Sequence, residues 1–108
     1  MTTKEILEKH IPKRLTKKPD LPAKINAIYQ FTLTGDGGGD YFIDLTAGKA
    51  AEVKAGISDT PRCTIEMTAE DFSDMVMGKL DGQMAFMTGK LKIKGDMGLA
   101  LKLQSVLM

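Results

Sequence analysis

Apolar and polar positions change period along the chain, and each change predicts an element. From Thr3 to about Lys17, the residues Ile6, Leu7, Ile11 and Leu15 recur near helical spacing. Pro12 falls inside that pattern and is expected to kink or split the helix, because its ring removes a donor and collides with the preceding turn. Pro19 and Pro22 bracket a loop or short helical turn, which completes an N-terminal helical segment over 1–22. The period then becomes two. Ala27, Tyr29, Phe31 and Leu33 alternate with more polar neighbours, and so do Tyr41, Ile43 and Leu45, then Ala51, Val53 and Ala55, then Cys63, Ile65 and Met67. Short turns separate these runs, the first being Gly35-Asp36-Gly37-Gly38-Gly39. The pattern over 25–67 therefore predicts a four-strand antiparallel meander with one apolar face and one wet face.

The segment 68–108 reads differently. Thr68, followed by Glu70 and Asp71, has the composition of a helix start, and Phe72, Met75 and Val76 form the apolar stripe behind it. Gly78 is a natural stop. Asp81 is placed to cap a second short helix carrying Met84, Phe86 and Met87. Lys90 to Lys94 alternates lysine with Leu91 and Ile93, which predicts a fifth strand. Because a helical segment precedes it, this strand is expected to join the sheet away from its sequence neighbours, at an edge where lysines discourage aggregation. A last helix opens at Gly95-Asp96 and runs from Met97 to about Leu107.

That helix has an unusually wide apolar face. At about 100° per residue, Val106, Leu99, Leu103, Leu107 and Ala100 cover one arc, and Met97, Leu101 and Met108 extend it. Gly98, Lys102 and Ser105 form the only polar strip, and Gln104 falls inside the apolar arc. A helix with so narrow a wet face is expected to be covered on more than one side. Either a central core helix or a helix walling a ligand cavity satisfies the pattern. Gln104 fits the second arrangement better, since an unpaired amide in a dry core is costly.

Composition sharpens the picture. A chain of 108 residues has room for one core and one domain. It holds 8 methionines but no tryptophan, so its interior is built from flexible, polarizable side chains that can adapt to varied ligands. A net charge of +1 argues against non-specific nucleic-acid binding. The charge is uneven, however. Lys4, Lys9, Lys13, Arg14, Lys17 and Lys18 face only Glu5 and Glu8 in the first helix, which reads as a solvated face or as a surface for transient contact with anionic membranes. A single Cys63 excludes an intrachain disulfide. The sequence has no apolar signal segment, no run long enough to span a bilayer, and no Ser-Lys-Leu address at its C-terminus. A cytoplasmic, stand-alone domain is expected.

Catalytic chemistry is poorly provided for. His10 sits in the basic helix without a partner in sequence that suggests a triad or metal site. Cys63 lies in phase with Ile65 and Met67 and reads as a small buried hydrophobe. The glycines at 37–39 lack the lysine and helix start of a phosphate cradle.

Two stretches carry a resemblance. Cys63-Thr64-Ile65-Glu66-Met67 runs into Asp71-Phe72 and Met77-Gly78-Lys79-Leu80; Ala85-Phe86-Met87-Thr88-Gly89 continues through Lys90-Leu91-Lys92-Ile93-Lys94-Gly95-Asp96-Met97-Gly98-Leu99 to Lys102-Leu103-Gln104. With Tyr29-Gln30-Phe31 and Phe42-Ile43-Asp44-Leu45, they closely resemble the sterol carrier protein-2 family over about residues 25 to 107. The resemblance implies an α+β fold: a five-stranded, mostly antiparallel sheet with helices on one face and a hydrophobic tunnel between them. It implies non-enzymatic binding and transfer of fatty acids, fatty acyl-CoA, phospholipids or sterols, without a cofactor. Gln83 matches a tunnel-facing glutamine, and Leu101 a tunnel-facing position of the last helix. Spacing adds Met84, Met87 and Met97, and the apolar stripe and arc add Phe72, Val76 and Gln104, as candidate ligand-binding residues. Two other readings stay open: an interaction module offering a methionine-rich groove to a partner's helix, and an acyl-CoA-processing enzyme.

Overall fold

A computed structural model describes residues 2–107, so the reading of Met108 lies outside the described residues. Helix α1 covers 3–16 in one continuous run: α-helical at Thr3–Glu5 and Ile11–Thr16, and widened to a π turn at Ile6–His10. Pro12 therefore does not split the helix. The N–H of Ile11 reaches back to the Ile6 carbonyl, and this wider turn accommodates the residue that can neither donate nor tolerate a close carbonyl four positions earlier. Helix α2, Leu21–Ile25, ends on Asn26 in the left-handed conformation (φ 49°), where the asparagine oxygen accepts a hydrogen bond from the Ala47 N–H at 3.0 Å.

Strands β1 (Ala27–Thr34), β2 (Gly39–Leu45), β3 (Glu52–Ala55) and β4 (Cys63–Thr68) follow, then helix α3 (Ala69–Val76), helix α4 (Gly82–Met87), strand β5 (Lys92–Gly95), and helices α5 (Met97–Leu101) and α6 (Leu103–Leu107). The sheet order is β3-β2-β1-β4-β5, and β1 pairs with β4 in parallel while every other pair is antiparallel. The meander expected over 25–67 is thus corrected at its last step. Strand β4 does not pair with β3; it crosses to the far side of β1. Gln30 on β1 shows how the crossing is held. Its amide nitrogen donates to the carbonyls of Tyr41 and Gly56, its oxygen accepts from the Ser58 N–H at 2.8 Å, and the side chain is buried beneath the β3–β4 connection. Strand β5 does lie at an edge, but against its predecessor β4 rather than away from it.

The alternate residues Tyr29, Phe31, Leu33, Ile43, Leu45, Cys63, Ile65 and Met67 are all buried, and with the helices they form one core. Tyr29 stacks beside Phe31, and Phe31 meets Phe72 of α3 edge-on with centroids 5.5 Å apart. The Tyr29 hydroxyl donates to the Leu99 carbonyl at 2.6 Å, which ties α5 to the central strand. On the other flank, Arg14 Nη1 donates to the Leu107 carbonyl at 2.8 Å and Lys18 Nζ to the Ser105 carbonyl at 2.6 Å, so α1 and the turn after it hold the end of α6.

The π turn carries one testable consequence. The Nε2 of His10 is buried and has no hydrogen-bond partner among the described residues. Burial, then the nearby Arg14 and Lys13 charges, hold its pKa below the ordinary 6.5. The unfolded chain therefore takes up the proton more readily than the fold does. The contribution of neutral His10 is fully present above about pH 6.5 and is lost as pH falls from there towards the lower folded value. Urea midpoints are expected to drop between about pH 7 and pH 5.5, and to drop less in His10→Phe. Equal slopes for the two proteins would mean that the imidazole is not held neutral.

Candidate functional site

Three N-caps fix where the site-forming helices begin. Thr68 Oγ1 accepts from the Asp71 N–H, Asp81 Oδ1 from the Gln83 and Met84 N–H groups, and Asp96 Oδ1 from those of Gly98 and Leu99. The helices so positioned, with β5, enclose an open cavity of about 560 Å³. Its wall is Met75, Leu80, Phe86, Met87, Leu91, Ile93, Met97, Ala100, Leu101, Leu103 and Leu107, with Gly78, Asp81, Gly82, Gln83 and Gln104 as the remaining contributors. A volume of this size is in the range of sites for drug- and lipid-sized molecules.

Each candidate residue has a definite place. Gln83, Met87, Met97, Leu101 and Gln104 line the cavity. Phe72 and Val76 do not; both are core residues, 0% and 1% exposed, on the face of α3 that packs onto the sheet. Met75, one step round α3, is the residue of that stripe that reaches the wall. Met84 is also absent from the wall and points to solvent. Helical geometry explains the division on α4. Taking Gly82 as zero, Phe86, Gln83 and Met87 fall at about 40°, 100° and 140°, one contiguous arc, whereas Met84 and Ala85 fall at about 200° and 300°. Ala85 is fully buried, so it turns the arc of Gly82, Phe86, Gln83 and Met87 towards the cavity. A Cβ at Gly82 would meet only Met75 Sδ, at 3.4 Å, an ordinary contact that shows how near α4 starts to the end of α3.

The last helix divides in the same way, and with a correction. It is interrupted at Lys102, and its wide apolar face is not covered on two sides by protein. Leu99, Leu103, Val106 and Leu107 are buried, while Met97 and Leu101 stand at the cavity, Leu101 still 85% exposed. The second apolar side is the cavity itself. Gln104 is exposed on that wall rather than enclosed in a dry core.

The wall's polar groups are two amides and one carboxylate, and no lysine, arginine or histidine lines it among the described residues. Lys17, Lys18, Asp20, Leu21, Lys24 and Ser105 surround a separate, shallower hollow of about 360 Å³ outside α6. Cys63 is fully buried, and its thiol is pushed up to about 11 by burial and, secondarily, by Asp96. No group of His, Cys, Asp and Glu among the described residues could hold a metal ion, and no described helix is long and apolar enough to cross a membrane.

Comparison with known proteins gives this cavity a context. The chain is 49% identical over 80 residues to hydroxysteroid dehydrogenase-like protein 2 of Xenopus tropicalis, which covers 74% of this chain and 19% of that protein. The human protein of that name is 46% identical over 89 residues, 82% of this chain and 21% of its own length, so the chain spans about a fifth of these relatives. Among solved structures, sterol carrier protein 2 of Yarrowia lipolytica in its apo form superposes with a TM-score of 0.74 at 28% identity, over 97% of this chain and 83% of that one. The solution structure of palmitated SCP2L2 from Aedes aegypti superposes with a TM-score of 0.76 at 26% identity, over 95% of this chain and 92% of that one. The profile of the SCP-2 sterol transfer family matches residues 6–108, and the chain belongs to that family.

Proposed function

We propose that this domain binds and transfers lipids without covalent chemistry, holding an acyl chain in the cavity between α3, α4, β5 and the last two helices. The observation that carries the reading is the cavity: about 560 Å³ of open, methionine- and leucine-walled space in a domain small enough to need that volume for its core. The palmitated relative supports an acyl chain as the occupant. Burying a methylene is worth about 0.8 kcal/mol, so a chain of about fifteen carbons offers about 12 kcal/mol gross. Ordering the ligand consumes several of these, and a micromolar to nanomolar complex remains.

Met75, Met87 and Met97 on the wall adapt to varied chains, which favours fatty acids and fatty acyl-CoA with phospholipids or sterols as further occupants. Gln83 and Gln104 are the groups available to a polar head, and they are neutral. Because no cation lines the wall among the described residues, affinity rests on the chain rather than on an ion pair to a carboxylate. Cys63, enclosed and held protonated, supplies no nucleophile to an enzymatic alternative. The dehydrogenase-like relatives favour a second reading, in which the domain holds lipid for an enzyme.

Native mass spectrometry of the purified protein, followed by titration with a fluorescent fatty acid, tests the proposal. Co-purifying acyl lipid and saturable, displaceable binding are expected. A protein that carries no lipid and binds no probe would overturn it.

A further inference from the structure

We infer that the rim of the cavity, rather than the basic first helix, is the surface that docks on an anionic bilayer. This rests on the proposed lipid-carrying function. Helix α1 has nothing apolar left to offer: Ile6, Leu7, Ile11 and Leu15 are all buried in the core, and Arg14 is engaged with the end of α6, as is Lys18 just beyond. The large apolar side chains that stay exposed are gathered elsewhere. Apart from Ile57, those among the described residues are Met77, Met84, Phe86, Met87, Met97 and Leu101.

Four of these six line the cavity, and the other two adjoin it: Met77 precedes the wall residue Gly78, and Met84 follows Gln83, about 60° round α4 from Met87. Exposed apolar surface is therefore concentrated at the cavity's opening, where a lipid chain has to enter. A chain that passes directly from bilayer to cavity across such a rim never crosses water, so the rim lowers the cost of exchange. Charge agrees with this partner. Lys79, Lys90 and Lys102 are exposed, each is next in sequence to a wall residue, and none makes an ion pair among the described residues. The one acidic group on the wall among the described residues, Asp81, is turned to the N-terminus of α4 as its cap, and the three lysines outnumber it. Apolar side chains flanked by lysines are the combination that binds the interface of anionic membranes.

Vesicle co-flotation separates this surface from the first helix. Phosphatidylcholine vesicles with and without phosphatidylserine are mixed with wild type, Met77→Glu/Met84→Glu, Lys79→Glu/Lys90→Glu and the control Lys13→Glu/Lys17→Glu. Each protein is also titrated with a fluorescent fatty acid in solution. None of the substituted residues lines the cavity, so solution binding is expected to be unchanged. Wild type should bind the anionic vesicles, both rim variants should bind them roughly tenfold less, and the control should stay close to wild type. Vesicle binding that is absent in wild type, or lost in the control and kept in both rim variants, would overturn the assignment. A concentration-dependent dimer abolished by the rim substitutions would assign the rim to a second copy instead, and would equally overturn it. Failure of the solution titration alone would count against lipid carriage and not against the docking face.

Discussion

Replacing Ala100 with Trp will reduce acyl-chain binding on the order of 100-fold while leaving the domain folded. Ala100 is half-buried on the cavity wall, on a helix anchored by the Tyr29 hydroxyl below it and capped by Asp96. An indole at that position has no room in the core, because the neighbouring Leu99 and Leu103 already fill that side. It must occupy the cavity. Excluding about four methylenes of ligand at about 0.8 kcal/mol each costs about 3 kcal/mol, which is the stated change in affinity. Leu101, the position on this helix that the family resemblance singles out, is expected to respond less. It is 85% exposed, so a tryptophan there can turn outward and leave most of the space open. Fluorescent fatty-acid titrations of Ala100→Trp and Leu101→Trp, with urea midpoints as a control for folding, distinguish the two. Equal, small losses would show that the chain does not run past the last helix.

The contrast between those neighbours also shows what the sequence could and could not reveal. Element type was legible wherever local chemistry decides it: the caps at Thr68, Asp81 and Asp96 and the alternating runs of the strands. Strand partners were not. A period-two pattern says which face of a strand is apolar but not what lies beside it; β4 runs parallel to β1 from Tyr29 to Thr34, and Gln30 bonds to the chain that crosses between them. The same holds for helix phase. Nothing in Gly82–Met87 marks Ala85 as the buried position, and without that anchor Met84 and Met87 look equivalent. Methionine suits a cavity wall, a core and an exposed rim alike, so composition could point to the C-terminal half without sorting its members. The wide apolar face of the last helix was informative because it conflicted with a simple amphipathic pattern, and the conflict lay at the cavity.

Phe72 gives the sharpest test of that sorting, and Phe72→Ala is expected to cost about 3–5 kcal/mol of stability. The ring is fully buried and meets Phe31 edge-on, with planes 65° apart, at the junction of α3 and the central strand. Truncation removes both the buried surface and the aromatic contact and leaves a void that the surrounding sheet cannot close. Against a total of about 5–15 kcal/mol for a domain of this kind, the variant will sit near the limit of folding. A wall residue would behave differently, since its loss would enlarge the cavity and shift preference towards bulkier lipids. Ligand linkage separates the cases. A saturating fatty acid stabilises the fold by an amount set by its concentration and affinity alone. If Phe72 belongs to the core, the ligand-induced increase in unfolding free energy will be the same in Phe72→Ala as in wild type, although both values start several kcal/mol lower. A changed increment, or a reordered preference among lipids of different bulk, would move Phe72 back to the wall.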